Sequence, residues 1–165
     1  MTIYSELSAD EQRLLRASLE AAAVAVSAAS PGRKEETVSE GFAAASFVLD
    51  SRADYVSHPL VSSVIVAIEA SLKAEQPFPD YVEVASAAGA REWALDTLRS
   101  VVTLLDARAT PDDAAAYKDW LMRIASTVAE AGKEDQGLLG RGGVQVNDAE
   151  RAALLEVAGV LGVTA

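Results

Sequence analysis

Residues 110–163 contain two segments with apolar residues at helical spacing, separated by a glycine-rich segment. Thr110 and Pro111 are typical of a helix start. The acidic pair that follows, Asp112 and Asp113, suits the positive end of a helix dipole. Apolar residues then recur every three or four positions, as on one buried face of a helix. We therefore predict two helices folded back on each other at the centre of a bundle.

The boundaries of this hairpin follow from its glycines and caps. Gly132 is predicted to end the first helix. Asn147, with Glu150 three residues later, is close to the capping box that opens many helices. Gly162 suits the left-handed residue that often follows a helix. Trp120 lies off the apolar stripe of the first helix, as does Met122, so either the buried face is broad or one of these residues contacts another partner.

Capping signals predict further helices before residue 110. Ser8 with Glu11, and Thr37 with Glu40, are spaced as capping boxes. Gly89 is predicted to break or kink the chain between a short helix and a longer one. The predicted helices cover about 9–29, 37–50, 57–72, 80–88 and 90–107.

These patterns predict an all-α fold, because no segment alternates apolar and polar residues for long. A chain of 165 residues, half of them hydrophobic, suits one bundle of about six to seven helices over residues 1–165. The Pro77–Pro79 break leaves a division into 1–76 and 80–165 as the alternative. Residues 24–49 also align with residues 126–161, which either an internal duplication or the common features of capped helices would explain.

Charge and cysteine content narrow the classes of partner. The net charge of −11 repels nucleic-acid phosphates and anionic lipid, so we expect no nucleic-acid partner. With no cysteine, the chain has no disulfide or thiolate chemistry. No signal-peptide pattern and no long uncharged apolar run is present, so we expect no membrane insertion and a cytoplasmic, bacterial-type protein.

Two short segments carry a family resemblance. Residues 128–132 (VAEAG) end an alanine-rich helix, and residues 146–150 (VNDAE) open a helix near a glutamate. This order of helix, turn and glutamate-started helix resembles the TerB-like helical proteins of tellurite resistance. The resemblance implies a helical stress-response protein with a metal-binding role. In this chain Ala131-Gly132 stands where that family has an Asp-Gly pair, and the loop is longer.

The glycine-rich segment is a candidate anion site. Successive backbone N–H groups with an arginine among them can form an anion-binding nest. The segment is neither a P-loop nor a dinucleotide fingerprint, because no Gly-Lys-Ser/Thr follows and no strand precedes it. The alternative is a structural turn whose arginine meets a carboxylate. The candidate anion-binding residues are Gly140, Arg141, Gly142 and Gly143.

Acidic residues around the same segment form a candidate metal site. Oxygen ligands from a loop and a helix start suit Ca²⁺ or Mg²⁺, although the spacing of an EF-hand is missing. Helix capping and dipole effects explain the same acidic residues equally well. The candidate metal ligands are Glu130, Asp135, Asp148 and Glu150.

No catalytic constellation stands out. His58 is the only histidine and has no serine–acid pattern nearby, so a surface or capping role is expected. Carboxylate-bridged metal enzymes need Glu-x-x-His pairs, which one histidine cannot supply. We expect a non-enzymatic interaction or stress-response module without a cofactor, acting on an unidentified protein partner through a groove or an acidic face. Cation or anion binding at residues 132–150 is the alternative, and broad apolar faces suggest a homodimer.

Overall fold

The computed structural model describes residues 4–29, 34–74, 86–134 and 148–164, with side chains except at 34–39 and 132–134. The described residues form six α-helices and two short 3-10 helices, with no strand among them. The 3-10 helices cover Tyr4–Glu6 and Ser51–Ala53. The α-helices are α1 (Ala9–Ser27), α2 (Lys34–Asp50), α3 (Pro59–Lys73), α4 (Ala87–Arg108), α5 (Pro111–Glu134) and α6 (Asp148–Leu161). The predicted all-α fold is confirmed.

Helix α5 lies at the centre of the bundle and contacts all five other α-helices. Its broad buried face includes both Trp120 and Met122, which resolves the question raised by their position off the main stripe. The hydroxyl of Tyr117 donates a hydrogen bond to the carbonyl oxygen of Leu15 in α1, at 2.9 Å. Helix α6 packs against α5, as expected for the two arms of the predicted hairpin.

One apolar cluster extends from the first 3-10 helix to α6. Helix α1 contributes buried alanines to this cluster. Their small side chains let α4 and α5 approach α1 closely. Fully buried Leu15 in α1, Leu98 in α4 and Ile124 in α5 supply larger side chains. None of the helices in the described ranges is both long enough and apolar enough to cross a membrane.

Three of the predicted helix ends are confirmed. The Ser8 hydroxyl accepts from the Glu11 N–H, and the Glu11 carboxylate accepts from the Ser8 N–H, which completes a capping box. Thr110 accepts from the Asp113 N–H at 3.2 Å. Gly162 has a φ of 70°, and the N–H that follows it bonds to the Ala158 carbonyl at 3.0 Å, as in a Schellman motif.

Three other predicted ends are wrong. Helix α2 begins at Lys34, so Thr37 lies inside the helix rather than at its cap, which needs an extended backbone. Gly89 lies within α4, and Gly132 lies within α5, which continues to Glu134. A helical glycine costs only about 1 kcal/mol relative to alanine. At Gly89 the Ser86 hydroxyl also accepts a hydrogen bond from the glycine N–H at 3.1 Å, so α4 is capped just before the glycine.

Candidate functional site

An apolar groove with a cavity of about 290 Å³ lies between α1 and α2, with α5 beneath it. Both α1 and α2 pack more extensively on α5 than on each other. The groove is therefore the space left where the two helices diverge above a shared support. It is lined by Leu19, Glu20, Ala23, Val24, Ser27, Glu40, Gly41, Ala44, Ala45, Val48, Ile124 and Val128.

Small residues on both walls keep the groove open. Ala23 and Ser27 lie on the α1 wall, whereas Gly41 and Ala45 lie on the α2 wall. A Cβ added at Gly41 would meet no atom within 4 Å. The larger apolar side chains sit deeper and are held by α5, so the depression has a fixed apolar base and accessible upper walls.

Each wall of the groove carries one glutamate. Glu20 follows the face of α1 that also carries Ala23, Val24 and Ser27, because residues three, four and seven apart share a helix face. Burial raises the pKa of the Glu20 carboxyl above its ordinary value. On the opposite wall, Glu40 is almost completely buried and takes part in an interaction of its own. The groove thus combines an apolar lining with acidic groups.

An exposed phenylalanine borders the groove. Phe42 is 75 % exposed, the most exposed large apolar side chain among the described residues. It lies on α2 three residues before Ala45, so the two are neighbours on the helix surface. Exposed apolar surface therefore extends along α2 from Ala45, which lines the cavity, to Phe42, which does not, and exposed apolar side chains of this kind are typical of a binding surface.

A second, polar cleft of about 770 Å³ lies where the segment before α3 meets the start of α5. The Tyr55 hydroxyl donates to Asp119 at 2.8 Å and accepts from Arg123 at 3.3 Å. Arg123 also pairs with Asp54 at 3.3 Å. Burial raises the pKa of Tyr55 to about 12, with Asp119 adding to the shift and Arg123 opposing it. The phenol is therefore protonated at neutral pH and holds α5 to the preceding turn.

His58 borders this cleft, and within the described ranges its imidazole makes no hydrogen bond or ion pair. It occupies the cap position of α3 without a side-chain cap bond, so only part of the expected surface or capping role is seen. Its ring lies 5.9 Å from that of Tyr55. The side chains of Ser57, Asp112 and Asp119 line the cleft as well. The hydrogen bonds and the ion pair of Tyr55, Asp119 and Arg123 join parts of the protein to one another.

The candidate sites at residues 132–150 are mostly beyond the described ranges. Gly140, Arg141, Gly142, Gly143 and Asp135 all lie outside them, as does Asn147. Both ligand hypotheses for this segment therefore stay predictions.

Three of the four candidate metal ligands are described. Glu130 lies exposed near the end of α5, and Asp148 and Glu150 lie in the first turn of α6. Asp148 approaches Arg151 at 3.7 Å, and Glu150 has an interaction partner. Within the described residues, no three acidic or histidine side chains lie close enough to hold a metal ion.

Sequence reasoning did not identify the groove. The spacing of Thr37 and Glu40 predicts a helix cap rather than a groove wall, and no motif above includes Glu20. A signal was present, since Glu20 is the only charged residue between Ala17 and Ala29 in an otherwise apolar, small-residue helix. A lone carboxylate in such a segment is costly to bury unless something compensates for it. Comparisons with protein-family models, with curated proteins and with solved structures find no match to this chain.

Proposed function

We propose that this chain is a non-enzymatic interaction module that receives an amphipathic helix of a protein partner in the groove between α1 and α2. The observation that carries the proposal is an accessible apolar groove walled by two helices, with exposed Phe42 three residues before Ala45 of the α2 wall. Helix-in-groove recognition uses this kind of surface, with apolar anchors at positions i, i+3, i+4 and i+7 of the bound helix.

The dimensions of the groove favour side-chain anchors of a helix over a large ligand. A cavity of about 290 Å³ is at the lower end of the range for small-molecule pockets, which is roughly 300–1,000 Å³. The apolar surface does not stop at the cavity, because Phe42 extends it along α2. A partner helix would cover both parts, whereas a ligand enclosed by the cavity would leave the phenylalanine in water.

The test is a selection of binders followed by a block of the groove. A displayed library of amphipathic helical peptides is selected against the intact chain, and affinities are measured by calorimetry. Ala45→Trp places a bulky side chain at an exposed lining position, so it should weaken the selected peptides by about ten-fold or more. Ala70→Trp, an exposed change on α3 outside the groove, is the matched control.

Two results would reject the proposal. One is a selection that yields no helical binder. The other is a set of binders that tolerate Ala45→Trp as well as Ala70→Trp. Phe42→Ala supplies a second variant that removes only exposed apolar surface, so its effect on affinity does not depend on the fold accepting a larger side chain.

A further inference from the structure

Glu20 is a half-buried carboxyl group on the wall of an apolar groove. Its environment raises the pKa by removing water from the charged form. Within the part of the chain that the structure describes, no cation pairs with it and no donor bonds to it. The charged form of Glu20 is therefore stabilised mainly by the water that still reaches the groove.

None of the nearby described cations pairs with Glu20. Arg16, one turn earlier on α1, lies beside Tyr4, where burial raises the pKa of the phenol and the guanidinium opposes that shift. Arg13 pairs with Asp10. Arg123 on α5 lies over the rings of Phe47 and Tyr55. The α5 residues that line the groove, Ile124 and Val128, carry no charge.

A partner helix that covers the groove would displace the remaining water from Glu20. If that helix were purely apolar, a carboxylate would be left buried without compensation, which is strongly unfavourable. A lysine or arginine on the helix would replace the lost water with an ion pair. Glu20 would therefore select against neutral partners as well as for basic ones.

The net charge of the chain also favours a basic partner. A net charge of −11 attracts basic partners and disfavours a second copy of this chain as the occupant. We infer that the groove binds a basic amphipathic helix, in which a lysine or arginine next to the apolar anchors pairs with Glu20. This inference rests on the proposed function, because it names the chemistry of the helix that the same groove receives.

The experiment is a double-mutant cycle on the helical peptides selected above. Each peptide is made with its basic residue and with glutamine at that position. Both versions are titrated against the native chain, Glu20→Gln and Glu92→Gln. Glu92 is exposed on α4 and is not part of the groove, so its change removes the same charge from another surface.

We expect Glu20→Gln to weaken the basic peptide by about ten-fold and to leave the glutamine peptide equal or tighter. Glu92→Gln should change either affinity by less than about two-fold. The affinity lost in Glu20→Gln should appear mainly as faster dissociation, because a contact ion pair slows dissociation. Long-range charge attraction changes the association rate instead.

The outcomes separate the two proposals. If Ala45→Trp abolishes binding but Glu20→Gln weakens both peptides equally or neither, the groove binds helices and the basic-partner inference is wrong. The inference is also overturned if the selected groove binders lack a lysine or arginine. If Ala45→Trp has no effect on any binder, the proposed function itself fails.

Discussion

The indole N–H of Trp120 donates a hydrogen bond to the hydroxyl of Ser51, with 2.9 Å between Nε1 and Oγ. Both residues are buried, and Ser51 in turn donates to the carbonyl oxygen of Val48 at 2.9 Å. The bond links the centre of α5 to the turn that follows α2. It supplies the polar partner that a fully buried tryptophan needs.

Ser51→Ala should destabilise the protein by about 1–3 kcal/mol, because it leaves the indole N–H buried without an acceptor. Urea denaturation followed by tryptophan fluorescence measures the change. Ser71→Ala is the control, since Ser71 bonds only to the Ala67 carbonyl within its own helix, and its effect should stay within about 0.5 kcal/mol. Equal stabilities of the two variants would contradict the role assigned to Ser51.

Ionisation of Tyr55 should destabilise the fold at alkaline pH. Burial raises its pKa from 10.0 to about 12, so the folded state holds this proton more tightly than the unfolded chain does. The resulting stability is present in full below pH 10 and is lost as the pH rises toward 12. Denaturation midpoints should fall across this window, and Tyr55→Phe should make the fall less steep. Because buried Tyr117 also has a raised pKa, part of the slope should remain.

Asp119→Asn should lower the pKa of the Tyr55 phenol, because it removes a negative charge whose effect is to raise that pKa. Nuclear magnetic resonance of labelled tyrosine ring carbons follows this titration directly. Burial remains the largest cause, so the pKa should stay above the ordinary value. An unchanged titration would show that the carboxylate does not contact the phenol in solution.

Glu20→Gln should raise the melting temperature at neutral pH. In the folded protein, burial raises the pKa of Glu20 above its ordinary value. The contribution of this residue to the free energy of unfolding is therefore complete only at acid pH, and it is lost as the pH rises through the folded pKa. Because glutamine does not titrate, the stability advantage of Glu20→Gln should disappear at pH values below 4.5, the ordinary pKa of a glutamate. Melting curves across this range, compared with Glu92→Gln, provide the measurement. A difference independent of pH would contradict the prediction.

Two glycines at the end of α6 should respond to alanine in opposite ways. Gly159 lies inside the helix, and an added Cβ would meet no atom within 4 Å, so Gly159→Ala should stabilise the protein by up to about 1 kcal/mol. Gly162 has a φ of 70°, a left-handed conformation that costs other residues about 1–2 kcal/mol. Gly162→Ala should be destabilising by about that amount. Thermal denaturation of both variants checks the signs.

The hypothesis of a metal site at residues 132–150 has its own test. It predicts that Ca²⁺ or Mg²⁺ raises the melting temperature and that a chelator reverses the effect. Glu150→Gln should reduce the response, whereas Glu92→Gln should not.

The anion hypothesis predicts heat on titration with phosphate and its loss in Arg141→Ala. Calorimetry without heat for any of these ions would remove both hypotheses.

Local signals in the sequence were sufficient for the helical class and for several helix ends. The capping box at Ser8, the cap at Thr110 and the left-handed Gly162 depend on neighbours within a few residues, so the sequence contains all the interacting groups. The predictions failed at Gly89 and Gly132, where a local signal for a break opposed a long apolar face. In the structure Ser86 caps α4, with its hydroxyl accepting a hydrogen bond from the Gly89 N–H, and α5 continues through Gly132 to Glu134.

The groove depends on residues from three separate parts of the chain. The spacing of apolar residues predicted that α1, α2 and α5 would each bury a face, but not that α1 and α2 would diverge above α5. It is this divergence that brings Glu20 into an apolar wall and leaves Phe42 beside it. Helix formation depends on contacts between near neighbours, which a sequence displays. The spaces between helices depend on how side chains distant in sequence fill them, so only the tertiary structure could determine the binding surface.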